Sequence, residues 1–144
     1  MFRQITDTVF ASPQIGTDAI AEAKALGVVR IINNRPEDEE DGQPAGATIE
    51  AAAREAGLDY VAIPVTHSGF SEGQVDAMLE ALESAQGPVL AYCRSGTRST
   101  LLWALARAKA GDNPTVIASK AASAGYDVTP VRQLIEMLAA SAGG

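Results

Sequence analysis

The fold of this chain is decided by Pro88-Val89-Leu90-Ala91-Tyr92-Cys93-Arg94-Ser95-Gly96-Thr97-Arg98-Ser99-Thr100. The stretch begins with a short apolar run, the pattern of a buried strand. It continues into Leu101-Leu102-Trp103-Ala104-Leu105-Ala106-Arg107-Ala108, which reads as a helix. Between them a tight loop holds the chain's one cysteine. Strand, loop and helix N-terminus in that order make an anion site. The first amides of the helix have no partner inside it, and the helix dipole adds partial positive charge at the same place. Gly96 lets the backbone turn without a Cβ clash. Arg94 and Arg98 add full charges, and a guanidinium grips an oxyanion with two hydrogen bonds. A cysteine at the mouth of such a cup should lose its proton easily, and the thiolate is the reactive form. The competing reading is a buried, inert cysteine, common for this residue type. A loop with two arginines and a glycine is an unusual place for one.

Outward from the cup, apolar runs and helical patterns alternate. A short strand is predicted around Thr8–Ala11, ended by Pro13, and a helix over 17–26, capped by Thr17 and closed by Gly27. Val28–Ile32 is β-branched and reads as a strand. It leads to Asn33-Asn34-Arg35-Pro36 and the acidic run Glu37–Asp41, which reads as a solvated face with no metal-ligand spacing. Arg35 follows the end of an inner strand, the edge where α/β folds carry ligands; its other reading is a salt bridge to the acids just after it. A helix over Ala47–Ala56, closed by Gly57, precedes the strand Tyr60–Val65. After the loop Thr66–Phe70, a helix is predicted over 72–85, with Val75, Met78, Leu79 and Leu82 at helical spacing. Beyond the cup, helices are predicted over Thr115–Ala124 and Val131–Ala140. Trp103 and its leucine neighbours read as core, and Tyr92 as structural, facing away from Cys93.

This alternation predicts one α/β domain over residues 1–144, with a mostly parallel central sheet and helices on both faces. The Cys93 strand should be central. The loops after Ile32, Val65 and Tyr92 should then share a rim, bringing Arg35, Thr66, His67 and Ser68 towards the cup.

Composition limits the partners. With 144 residues, 47% of them hydrophobic, the chain can bury a real core. A net charge of −7 argues against general nucleic-acid binding. One cysteine cannot form an internal disulfide. No apolar run is long enough for a membrane span, and the first residues lack a signal-peptide pattern, so a cytoplasmic protein is expected. No cofactor or metal is expected.

Asn33-Asn34-Arg35-Pro36-Glu37, Ile63-Pro64-Val65, Gly87–Ala91 and Cys93–Ser99 together resemble the bacterial "β-lactamase hydrolase-like protein, phosphatase-like domain" family, over about residues 3–140. The resemblance implies a fold like dual-specificity and tyrosine phosphatases. Members are described both as candidate phosphatases and as sulfurtransferases, and some are fused to persulfide dioxygenase-like domains, which implies a persulfide-metabolising enzyme as a partner. Two departures bear on the chemistry. The phosphatases have Cys-x5-Arg, whereas Cys93 to Arg98 is Cys-x4-Arg, the count of the rhodanese loop Cys-Arg-x-Gly-x-Arg. The phosphatase Asp after the strand corresponding to Tyr60–Val65 is replaced here by Thr66, His67 and Ser68, with no acid until Glu72. His67 could act as the acid near neutrality; its other reading is a solvent-facing loop histidine.

The sequence-based expectation is therefore a sulfurtransferase. Cys93 takes the outer sulfur of a small anionic donor, loop amides hold the persulfide, and an external thiol acceptor removes it. Cys93, Arg98 and Ser99 are the candidate catalytic residues, with Ser99 either bonding the Cys93 sulfur or capping the helix. Arg94, Ser95, Gly96, Thr97, Arg35 and His67 are candidate substrate-binding residues. The alternative is a cysteine phosphatase forming a phosphocysteine, with His67 or another acid on the leaving group. A third reading is a non-catalytic anion-binding or redox-sensing module.

Overall fold

A computed structural model describes residues 2–66 and 68–143. Cys93 leaves the middle of a five-stranded sheet. β1 (Arg3–Thr6) and β2 (Val9–Ser12) form an antiparallel hairpin. β3 (Arg30–Asn33), β4 (Asp59–Ala62) and β5 (Val89–Tyr92) complete the order β1-β2-β5-β3-β4. β5 pairs in parallel with both β2 and β3, and β3 in parallel with β4. All four β5 side chains are buried, which is why its sequence is a continuous apolar run.

The two faces of the sheet separate residues by period two. Ile31, Leu90 and Tyr92 face one side, under α1 (Ala19–Ala25) and α2 (Gly46–Glu55). Ile32, Val89 and Ala91 face the other, under α3 (Glu72–Glu83), α4 (Thr97–Lys109), α5 (Pro114–Ser123) and α6 (Arg132–Gly143). α4 lies at the centre of this second layer, buried almost all round, with Trp103, Leu102 and Leu105 in its core. Its periodicity is correspondingly weak, since no face of it is left to solvent.

Several sequence expectations are adjusted. The first strand is a hairpin: Arg3–Thr6 carries polar and exposed residues and reads as a strand only because β2 pairs with it. Thr17 does not cap α1; Asp18 is the cap residue and makes no side-chain bond. Pro64 lies beyond the end of β4, so the strand stops at Ala62 rather than Val65. α4 begins at Thr97 rather than Leu101, because Gly96 turns at φ 92° and the chain is helical from the next residue. Arg98 and Ser99 therefore belong to the first turn of a helix, not to a loop. α3 starts with a reciprocal cap: the Gln74 amide donates to Ser71 Oγ at 3.2 Å, and the Ser71 amide donates to Gln74 Oε1 at 2.7 Å.

Gln74 Nε2 also donates to Pro64 O at 2.9 Å, so this cap ties α3 to the loop beside the cup. Ser71→Ala should lower stability by about 1 kcal/mol, read as a shift in the urea midpoint with an unchanged slope.

Candidate active site

Cys93 is the residue after β5, where the ladder ends. Its amide donates to Ser12 O at 3.3 Å, and Asn34 N donates to Tyr92 O at 2.8 Å, so the exits of β2 and β3 flank it. The turn from Cys93 to Gly96 brings the Gly96 amide to 3.1 Å from Cys93 Sγ, to which it donates. Cys93 itself is fully buried. Among the described residues, the amides of Arg94, Ser95, Arg98 and Ser99 meet no acceptor. Unmatched amides at a strand exit and the following helix start are donors of the kind that hold an anion.

Gly96 is required twice. Its φ of 92° is left-handed, and an added Cβ would land on the Tyr126 hydroxyl, with Cζ at 2.9 Å. Tyr126 donates to Ser95 O at 3.3 Å and packs over the Arg3 guanidinium. Burial pushes its hydroxyl above the usual phenol range. It braces the loop from outside.

Arg98 reaches back across the rim. Its Nη1 and Nη2 donate end-on to Glu39 Oε2 and Oε1, at 2.8 and 2.7 Å, and Nη1 also donates to Val65 O at 2.6 Å. The side edge, carrying Nε–H and the second Nη2 hydrogen, meets no oxygen acceptor among the described residues. These two N–H groups are parallel, the fork that fits two oxygens of one oxyanion. The Glu39 bond, then the Cys93 sulfur, drive the guanidinium further above its ordinary range, against burial. The Arg98 bond, joined by Arg35, pulls Glu39 down to about 2 even though burial opposes it. Glu39 is therefore an ion-pair partner and cannot hold a proton for catalysis near neutrality.

Ser99 is not the helix cap; Gly96 holds that position. Ser99 Oγ is buried and has no partner among the described residues. Ser95 in the turn and Thr97 at the start of α4 are exposed and bond each other, Ser95 Oγ donating to Thr97 Oγ1 at 3.0 Å. Arg94 points outward, with 64% of its side chain exposed, and meets Glu40 at 3.4 Å. Of the two readings of Arg35, the salt bridge is the one observed. Arg35 is 3% exposed, with Nε on Glu39, Nη1 on Gln14 and Nη2 on Glu40. The acidic run is exposed, as expected, except at Glu39, which lies between Arg35 and Arg98; Glu37, though exposed, accepts the Gly46 amide at the start of α2. His67, the candidate substrate-binding residue and acid, lies outside the described residues. In the described part of the segment from Ile63 to Ser71 there is no acidic side chain.

Glu39, Gln14 and Tyr126 escaped sequence reading. Glu39 has identical neighbours in type on both sides, and only its four-residue offset from Arg35 hints at a pair. Gln14 and Tyr126 carry no local pattern, since their contacts, to Arg35 and Ser95, are long-range. Among the described residues no group of His, Cys, Asp and Glu is placed to hold a metal ion, and no helix is long and apolar enough to cross a membrane.

A central strand that delivers a buried cysteine into an amide-lined turn, followed at once by an arginine on a helix, defines a cysteine-dependent, phosphatase-like α/β enzyme. The chain belongs to the family described as "Beta-lactamase hydrolase-like protein, phosphatase-like domain", which it matches over residues 1–110. α5 and α6, with Tyr126, lie beyond that match. The Xylella fastidiosa "Beta-lactamase hydrolase-like protein" is 39% identical over 101 residues, which cover 70% of this chain and 23% of that protein. This chain thus corresponds to less than a quarter of that relative. A phosphatase candidate from Neisseria meningitidis superposes with a TM-score of 0.82 at 32% identity, covering 94% of this chain and 96% of that one. P. aeruginosa TpbA in complex with pTyr superposes with a TM-score of 0.68 at 17% identity, covering 99% and 90%, and shares the fold.

Glu39→Gln should cost about 1.5–3 kcal/mol of stability at neutral pH. Because folding lowers the Glu39 pKa from 4.5 to about 2, the wild-type advantage should be constant above 4.5 and disappear as pH falls through about 2. Paired urea titrations across that range would show it; an advantage that grows on acidification would mean that Arg98 does not hold the carboxylate. Gly96→Ala should disorder the turn and lower stability by about 1–3 kcal/mol, and Tyr126→Phe should not relieve it, since the ring remains in place.

Proposed function

We propose that this chain is a cysteine phosphatase acting on phosphate monoesters with acidic leaving groups, such as aryl phosphates. The observation that carries the reading is the side fork of Arg98, which meets no oxygen acceptor among the described residues, together with the unmatched amides of the turn after Cys93. Three phosphoryl oxygens would be held by the amides of Arg94, Ser95, Arg98 and Ser99 and by Nε and Nη2 of Arg98. Cys93 thiolate attacks phosphorus opposite the leaving oxygen. The S–P bond forms as the P–O bond breaks, and the leaving group departs with the electron pair. Water then attacks the phosphocysteine, releasing inorganic phosphate and the thiolate. The buried Ser99 hydroxyl, without another partner, would donate to that thiolate as it reforms. The similarity to the N. meningitidis phosphatase candidate supports this chemistry, and the TpbA complex with pTyr supports it at the level of the fold.

The preference for acidic leaving groups follows from the absence of an acidic side chain in the described part of Ile63–Ser71, beside the cup. An alkoxide leaves poorly without a proton, whereas a phenolate needs much less help.

That same feature favours a second reading, sulfur transfer. Cys93 thiolate would attack the outer sulfur of a donor such as thiosulfate, the new S–S bond forming as sulfite leaves with the electron pair. No protonation is needed, and the six-residue span from Cys93 to Arg98 has the rhodanese count. An external thiol acceptor would then be required, because the chain has one cysteine.

A paired assay separates the two. Aryl phosphate hydrolysis should be abolished in Cys93→Ser and fall by at least about a hundredfold in Arg98→Lys, which keeps the charge and loses the fork. An alkyl phosphate should be turned over far more slowly than an aryl phosphate. Thiocyanate from thiosulfate and cyanide should stay at background. Cys93-dependent thiocyanate without phosphate release would replace the phosphatase reading with the sulfur one.

A further inference from the structure

By count, the rim looks suited to a highly charged ligand, since Arg35, Arg94 and Arg98 all border it. Their bonding says otherwise. All three Arg35 nitrogens are engaged, on Glu39, Gln14 and Glu40. Arg98 is closed at its end by Glu39. Arg94 is exposed, and the acceptor it meets is Glu40. Glu40 uses one carboxylate oxygen on each arginine, Oε1 on Arg35 and Oε2 on Arg94. What remains is one fork and the loop amides, enough for one tetrahedral group. Beside it Asp38, Glu40 and Asp41 stay exposed on a segment pinned to the rim through Glu39 and Arg35. Asp38 adopts a left-handed φ of 57° beside these ion pairs.

We propose that Glu40 is a specificity determinant: with its acidic neighbours it restricts the cup to ligands that carry a single tetrahedral anion on an uncharged or cationic body, and it excludes polyanions. The proposal rests on the reading of the Cys93 turn as the substrate cup and holds for either chemistry there. A second phosphate attached to the first would project over the rim, within a Debye length of these carboxylates. At about 6 Å in water-like surroundings, each like-charge pair weakens binding about threefold. Glu40 acts twice, because it also occupies the one rim arginine, Arg94, that is exposed enough to receive a second phosphate.

The test uses Cys93→Ser, which binds without turnover, and the same protein carrying Glu40→Gln. Calorimetry measures inorganic phosphate, pyrophosphate and tripolyphosphate in about 0.15 M salt without divalent ions. Phosphate should bind Cys93→Ser at least about tenfold more tightly than either polyphosphate, against the usual trend for arginine sites. With Glu40→Gln the polyphosphates should gain at least about threefold more than phosphate does, and the penalty in Cys93→Ser should shrink as salt rises to about 0.5 M. A penalty that ignores both Glu40→Gln and salt is steric and overturns the proposal. So do polyphosphates that bind as tightly as phosphate, and so does the absence of any anion binding. Turnover of aryl phosphate and of thiosulfate by the wild type is measured alongside. The predicted binding order without turnover supports this specificity and removes the catalytic reading. Turnover with the reverse order removes the specificity alone.

Discussion

One carboxylate holds the rim together. Glu39 accepts two hydrogen bonds from Arg98 and one from Arg35, and so joins the exit of β3 to the first turn of α4. Arg98 in turn donates to Val65 O, which brings the exit of β4 into the same network. The exits of β3 and β4 are therefore fixed relative to the cysteine turn by one largely buried ion cluster. With only 14% of the Glu39 side chain exposed, the cluster is shielded from salt and water more than a surface pair would be. Its chemical consequence is directional: by taking the end of the guanidinium, Glu39 leaves the side edge as the face that a ligand can meet.

The cup itself is assembled from groups left without partners. The loop amides, Ser99 Oγ and Asn34 Oδ1 are polar atoms without acceptors or donors among the described residues, and the latter two are buried. Asn34 follows the last β3–β5 register pair, Asn33 with Tyr92, and so stands opposite Cys93. Unmatched polar groups are costly in a core. Those of them that donate, the loop amides and the Ser99 hydroxyl, belong to the β5 exit and the first turn of α4, on either side of Gly96.

The two chemistries weighed for the cup make similar demands on it. Sulfur and phosphorus electrophiles both need a thiolate, a ring of amides and a charge for the departing or developing oxyanion. They differ in whether the leaving group needs a proton. The described part of Ile63–Ser71 supplies no acidic side chain, so under the proposed function the leaving group selects among substrates more sharply than the nucleophile does.

The class of fold was legible in the sequence because it rests on local signals. Apolar runs of four or five residues, separated by helical periodicity and glycine stops, can satisfy their burial only as a parallel sheet between helices. Cys93, Gly96 and Arg98 were legible for the same reason, being within six residues of one another, where backbone geometry alone ties strand, turn and helix. The polar hairpin strand β1 was not legible, since its strand character comes from pairing with β2. Nor were the roles of Glu39, Gln14 and Tyr126, or the burial of Arg35. Local sequence determined which residues make the cup. Only the tertiary structure decided which arginines remain available to a ligand, because an ion pair depends on distance through space, and Arg98 and Glu39 are 59 positions apart in the chain.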